Sequence, residues 1–277
     1  MGSLSLGFLA FLGIEAPQLH SNYIRSSVGK NVVMITSEDG RGGGTGFHVQ
    51  LPSGGTAILT NAHICLMEFN GNVNVFANGA TTPTRRRVID ISRNHDLCLV
   101  EGFKGFSGIP IDNGYLSTGL GSGPYLGEIM GLIGHPRLNA LTLTRGETID
   151  KRNILLLFGI NLPDNRCIGI NLSAKEFKAK AASTEIMSPV LAGRYTPTLD
   201  VILKELNLLL STAASPRICI AQLEADQITN ITHPGNSGSP VVNAYGKLQG
   251  VLFAGNKQVN NGYMVPLSVI KAFLAVH

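Results

Sequence analysis

From Val28 onward the apolar residues fall in short runs, each ended by a glycine-rich or polar turn. The first runs are Asn31-Val32-Val33-Met34-Ile35, Phe47-His48-Val49, Ala57-Ile58-Leu59-Thr60, Val73-Asn74-Val75-Phe76, Arg87-Val88-Ile89-Asp90-Ile91 and Leu97-Cys98-Leu99-Val100. Runs of this length and punctuation predict strands of an antiparallel meander. Between the first two, Arg41-Gly42-Gly43-Gly44-Thr45-Gly46 reads as a turn. These strands suffice for one closed barrel over 28–115, after an N-terminal segment over 1–27. A loop-rich stretch from Gly102 to Gly127 comes next. A second series opens at Glu128-Ile129-Met130-Gly131-Leu132-Ile133-Gly134, continues through Leu141-Thr142-Leu143-Thr144 and Ile154 to Phe158, and resumes from Arg217 to Val265. It predicts a second barrel within 116–277.

The second series is interrupted at about 163–216 by a segment of different character. Ser173 to Lys180 favours helix, and Leu199, Ile202, Leu203, Leu206 and Leu210 form a helical stripe with Thr198 available as N-cap after Pro197. Near the end, Pro266 to Leu274 reads as a short helix, since proline is tolerated where the first amide has no partner. The expected fold is therefore all-β: two six-stranded antiparallel barrels, a partly helical insertion in the second and a short C-terminal helix.

Composition agrees with this pattern. The chain has 277 residues, 44% of them hydrophobic, with 33 glycines and only 14% charged residues, a balance that suits short strands and tight turns. The net charge of +4 is small, and the one basic run, Arg85-Arg86-Arg87, lacks interleaved aromatics that could stack on bases. It reads as a strand end or solvated turn, with phosphate binding or self-cleavage as the alternative, and no nucleic-acid partner is expected. The apolar start, Met1 to Gly13, has no preceding basic residue and no clean cleavage site, and it is too short to span a bilayer. A packed N-terminal segment is expected, with no membrane span.

The cysteines, Cys65, Cys98, Cys167 and Cys219, are widely separated and lack the paired close spacing of a zinc site. Neither a metal nor a disulfide framework is expected, and Cys98 reads as a buried, inert thiol. Without evident disulfides or a signal peptide, the reading favours an intracellular setting. No cofactor is implied.

The strongest chemical signal is Pro234-Gly235-Asn236-Ser237-Gly238-Ser239-Pro240, in which glycines permit a sharp turn that exposes a serine oxygen and aims amides at a developing oxyanion. A serine hydroxyl needs a base, and of the 7 histidines His63 stands out, at the end of the strand within Thr60-Asn61-Ala62-His63. The imidazole needs an orienting acceptor, and Asp96 stands just ahead of Leu97-Cys98-Leu99-Val100. Taken singly, each motif is as well explained by structure: a glycine turn, a packed histidine, a capping aspartate. Their joint occurrence in the order His, Asp, Ser is what points to catalysis.

In that order and those motifs the chain resembles the chymotrypsin-like serine proteases. Within them it is most similar to Deg/HtrA-type protease domains, through Gly43-Gly44-Thr45-Gly46-Phe47, Thr60-Asn61-Ala62-His63, Gly131-Leu132-Ile133-Gly134-His135-Pro136 and Pro234 to Pro240. The stretch after Val265 is too short for the PDZ domain of most such proteins, and the 163–216 insertion is not typical of them. The resemblance implies a serine endopeptidase acting on a peptide or protein substrate. Ser237 would be nucleophile, His63 proton shuttle and Asp96 orienter, with Gly235, Asn236 and Ser237 forming the oxyanion hole. Asn236 stands where digestive members carry an aspartate that pairs with a freed N-terminus, so activation by cleavage is not expected. The substrate pocket would be shaped by Ile231, Thr232, His233, Phe253, Ala254 and Gly255, and the absence of an acidic residue there favours an apolar side chain. A second reading is a catalytically silent, protease-like binding module. With either, the inserted helices could make the chain a homo-oligomer.

Overall fold

In a computed structural model of the chain, the described residues are 16–40, 42–67, 71–77, 79–111, 127–160, 167, 169–173, 175–177, 185–187, 217–256 and 260–277. Strands β1 (Val32–Thr36), β2 (Gly43–Gln50), β3 (Thr56–Thr60), β4 (Asn72–Phe76), β5 (Thr84–Ser92) and β6 (Leu97–Glu101) close into a barrel in the order β1-β2-β3-β6-β5-β4. Alternation decides which side faces in: on β4, Val73 and Val75 are buried between half-exposed neighbours. They pack with Val33, Ile35, Ile58, Cys98 and Val100 in the barrel interior.

The glycine run expected to turn instead forms the start of β2. There is no room there for side chains: a Cβ on Gly43 would strike the carbonyl of Ile35 on β1, and one on Gly46 would lie 2.8 Å from Ile35 Cδ1. These glycines serve close packing. The basic triplet lies on β5, where Arg86 stacks 4.0 Å over the Phe103 ring and Arg85 pairs with Glu38 at 2.8 Å.

The second half contains β7 (Ile129–Gly134), β8 (Thr142–Ile160), β9 (Ile170–Ser173), β10 (Glu185–Met187), β11 (Arg217–Ile228), β12 (Pro240–Val242), β13 (Leu248–Asn256) and β14 (Asn261–Pro266). They form a sheet in the order β10-β8-β7-β12-β13-β14-β11-β9, and a further β8–β11 pairing closes its six inner members into a ring. Closure depends on β8, expected as two strands but continuous over 19 residues. Its first part pairs with β7 and its remainder with β11. At the changeover Gly146 leaves space for Asn230, whose amide nitrogen would lie 2.5 Å from a Cβ there.

Helix α1 (Ala16–Ser27) was not expected as a helix; it buries Ile24 towards Gly131 of β7. Helix α2 (Ala62–Cys65) is a single turn after β3. The expected C-terminal helix is present as α3 (Leu267–Leu274), which begins one residue after the extended Pro266 and buries Leu267, Ile270, Phe273 and Leu274. Among the described residues no helix is long and apolar enough to cross a membrane. In the insertion the described parts include two strands, β9 and β10, beside a helical stretch at 175–177. The leucine stripe from Leu199 to Leu210, and the oligomer contacts expected of it, lie outside the described residues.

The cysteine reading is overturned. Cys65 bonds Cys98, and Cys167 bonds Cys219. Their sequence separations of 33 and 52 gave no local signal, because pairing is decided by strand register. Thr60, at the end of β3, lies opposite Cys98, which brings the following helix α2 and its Cys65 to β6. Disulfides persist in oxidising surroundings, so the intracellular expectation loses one of its two grounds, the lack of disulfide pairs. Closing loops of this size contributes about 3–4 kcal/mol per bond in the chain-entropy account. The double variant Cys65→Ser/Cys98→Ser is therefore expected to melt on the order of 10 °C lower than the parent. Calorimetry showing no shift would contradict a stabilising bond.

Asp226 on β11 is buried, and that burial pushes its carboxyl from 3.8 up to about 6, with Lys151 opposing and Glu224 reinforcing the shift. Between those two values the folded state holds a proton that the unfolded chain has lost. Stability from this group is thus fully present below the unfolded value and is lost as pH rises through the folded one. Asp226→Asn, which cannot ionise, is expected to gain about 1–3 kcal/mol over the parent at pH 8 and little at pH 4. Urea titrations at the two pH values check this, and an equal effect at both would refute it.

Candidate active site

The site is assembled where the end of β3 meets the loop before β12. Asn61 is extended and starts α2, so His63 stands in a helical turn, not at the strand end itself. Asp96 ends the 3-10 turn Arg93–His95 in a left-handed conformation, with φ 51° and ψ 43°. Among non-glycine residues aspartate is one of the few that adopt it routinely. From there its carboxylate runs back beneath α2. Oδ1 accepts the His63 backbone N–H at 2.9 Å and Oδ2 meets His63 Nδ1 at 2.8 Å, while Asn61 Nδ2 donates to the Asp96 carbonyl at 2.9 Å. Asp96 is wholly buried. An ionised carboxylate only accepts hydrogen bonds, so Nδ1 carries the proton and Nε2 is the basic nitrogen.

Ser237 occupies a turn shaped by Gly235 (φ 91°) and Gly238 (φ 85°). The turn docks on the first barrel through Thr45: the Thr45 amide donates to the Ser237 carbonyl at 2.8 Å, and Thr45 Oγ1 donates to the Gly235 carbonyl at 2.8 Å. Thr45 Oγ1 also accepts the His135 amide at 3.0 Å. At Gly44 a Cβ would lie 2.6 Å from the Ser237 carbonyl oxygen and 2.7 Å from Ile64 Cδ1; at Gly238 it would strike Thr60 Oγ1. The serine turn therefore meets the residues immediately around His63. Ser237 Oγ donates to the Phe253 carbonyl at 3.3 Å.

Three amides of this turn are engaged. Asn236 donates to the His233 carbonyl at 3.0 Å, Gly238 to Leu252 at 2.7 Å and Ser239 to Asn236 at 2.9 Å. The Gly235 and Ser237 amides have no acceptor among the described residues. Beside them, Arg137 and Leu138 are held at positive φ, with the Arg137 amide bonded to the Pro234 carbonyl. Burial lowers the pKa of His135, although its bond to the Asn139 carbonyl at 2.8 Å opposes the shift.

Of the expected pocket residues, Ile231 is half exposed and Thr232 is buried against Gly255 and Gly262. His233 is partly buried. The Phe253 side chain lies fully in the core, so this residue offers the site its carbonyl; Ala254 is buried and Gly255 partly exposed beside it.

The pair of barrels is the chymotrypsin-like fold. No family model and no curated protein sequence matches the chain. Among solved structures it is similar to the Rv3671c protease in its inactive form, at 17% identity and a TM-score of 0.56, covering 94% of this chain and 95% of the other. The active form of that protease, from M. tuberculosis, gives 17% identity and a TM-score of 0.57, with coverages of 94% and 86%. A serine endoprotease from Yersinia pestis gives 15% identity and a TM-score of 0.54, with coverages of 92% and 66%. At such identities the likeness is one of fold.

Thr45 and the Cys65–Cys98 bond escaped the sequence reading as parts of the site. The glycine-rich run around Thr45 reads from the sequence as a turn and as a family motif, and neither marks Thr45 as the residue that docks the serine turn. Thr45→Val keeps the shape and removes the hydroxyl, leaving the Gly235 carbonyl and His135 amide without it. A loss of about 2–4 kcal/mol is expected from the two buried groups, and an unchanged chemical-denaturation midpoint would rule out this docking role.

Proposed function

We propose that the protein is a serine endopeptidase that cleaves peptide bonds through an acyl-enzyme, with His63, Asp96 and Ser237 as its triad. The observation that carries this reading is the buried, doubly bonded Asp96 fixing the His63 ring beside a serine turn that has two unengaged amides. Ser237 Oγ leaves its long bond to the Phe253 carbonyl and attacks the substrate carbonyl carbon while its proton passes to His63 Nε2. Asp96 stabilises the resulting imidazolium. The oxyanion is received by the Gly235 and Ser237 amides, with Asn236 shaping the turn between them. Collapse expels the amine, which takes the proton from His63. Water then repeats the sequence on the ester, releasing the acid and restoring Ser237.

Neighbouring structures that are serine proteases support a peptidase fold, and the order His, Asp, Ser supports the assignment of roles. Asn236 in place of an acidic residue is consistent with a site that needs no freed N-terminus. The half-exposed Ile231, with Thr232 and the 253–255 strand, suits an apolar substrate side chain.

A fluorophosphonate probe is expected to label the folded protein at Ser237, and Ser237→Ala to abolish both labelling and peptide hydrolysis. Asp96→Asn, which presents the wrong hydrogen-bonding partner to His63, is expected to lower kcat about 10³–10⁴-fold. Absence of labelling between pH 6 and 9 would leave a silent binding module as the reading.

A further inference from the structure

Asp96 is gripped from the first barrel by His63 and Asn61, but the turn that presents it is also held from the second half of the molecule. Arg93 opens that turn. Its carbonyl faces the Asp96 amide at 3.5 Å, and its guanidinium Nη1 donates to the Cys167 carbonyl at 2.7 Å. Cys167 lies in the inserted segment, is buried, and is bonded covalently to Cys219 on β11. Strand β11 packs against the same turn. A continuous connection therefore runs from β11 through Cys219, Cys167 and Arg93 to the residue that orients His63.

The conformation at the end of this connection needs support. A left-handed backbone is open to aspartate but is not its preferred state, and it persists where its surroundings over-determine it. A short bond from a guanidinium is among the stronger restraints available. Here it ends on a carbonyl whose own residue is anchored by a disulfide.

We propose that Arg93 is a positioning residue for the His63–Asp96 pair, and that the insertion governs the pair's geometry through the Cys167 carbonyl, which the disulfide to Cys219 fixes. The proposal rests on the reading of His63 and Asp96 as the acid–base pair of the site. Without the Arg93 bond the turn relaxes, Asp96 shifts, and the Nδ1–H···Oδ2 bond loses its alignment.

The test uses the full chain and three variants. Arg93→Met keeps the apolar stem and removes the donors; Arg93→Lys restores a donor able to reach the Cys167 carbonyl. The third is Cys167→Ser/Cys219→Ser. The low-field proton NMR signal of His63 Nδ1 reports the pair directly, whether or not peptide is cleaved. In Arg93→Met this signal is expected to shift or broaden, and kcat to fall about 10–100-fold with KM unchanged. Arg93→Lys recovers most of both. The serine pair reproduces the Arg93→Met change, and combining the two adds little, as for residues acting through one connection. An unaltered His63 signal in Arg93→Met would overturn the proposal, and so would effects of Arg93→Met and the serine pair that multiply independently. Should the serine pair not fold, the Arg93 variants decide by themselves. Failure of the peptidase reading shows separately, as an unlabelled Ser237 with an intact His63 signal.

Discussion

The docking of the serine turn on Thr45 is the interaction on which the rest of the site depends. One side chain and its amide, on β2 of the first barrel, hold the carbonyls on either side of Asn236 in the second, and the same hydroxyl takes the His135 amide. The proposed triad, divided between two barrels, requires that they keep a fixed relation. Buried hydrogen bonds supply it more sharply than apolar packing does, because they are directional and costly to leave unmade. The neighbouring glycines, Gly44 and Gly238, make the bonds attainable, since any side chain there would hold the two backbones apart.

A second constraint acts within the first barrel. Asp96 is buried, yet both carboxylate oxygens and its carbonyl have donors within 3 Å, so its environment is polar where it must be and closed elsewhere. The Cys65–Cys98 bond joins the residue two beyond His63 to the residue two beyond Asp96. Imidazole and carboxylate are thus carried on elements that cannot drift apart. The other disulfide gives the inserted segment a comparable anchor on β11, and makes it more than a surface decoration.

The division between what was legible in the sequence and what was not tracks the range of the forces concerned. Strand positions in the first barrel, the closing helix and the three motifs around His63, Asp96 and Ser237 could be read because alternation, proline and glycine turns act over a few residues. The glycine run before Phe47 was misread for an instructive reason. Glycine permits a turn, but it also permits close approach, and which of the two applies depends on a carbonyl from another strand and another barrel.

By itself the sequence determined that this chain makes strands in two series, and it placed a histidine, an aspartate and a serine at the strand boundaries and the glycine turn where chemistry could use them. Only the tertiary structure decided that the cysteines pair, that β8 runs unbroken to close the second ring, that Phe253 turns its side chain to the core, and that Arg93 reaches the insertion. Each of these is a contact between residues distant along the chain, set by strand register and barrel closure, and nothing in the local order of residues encodes it.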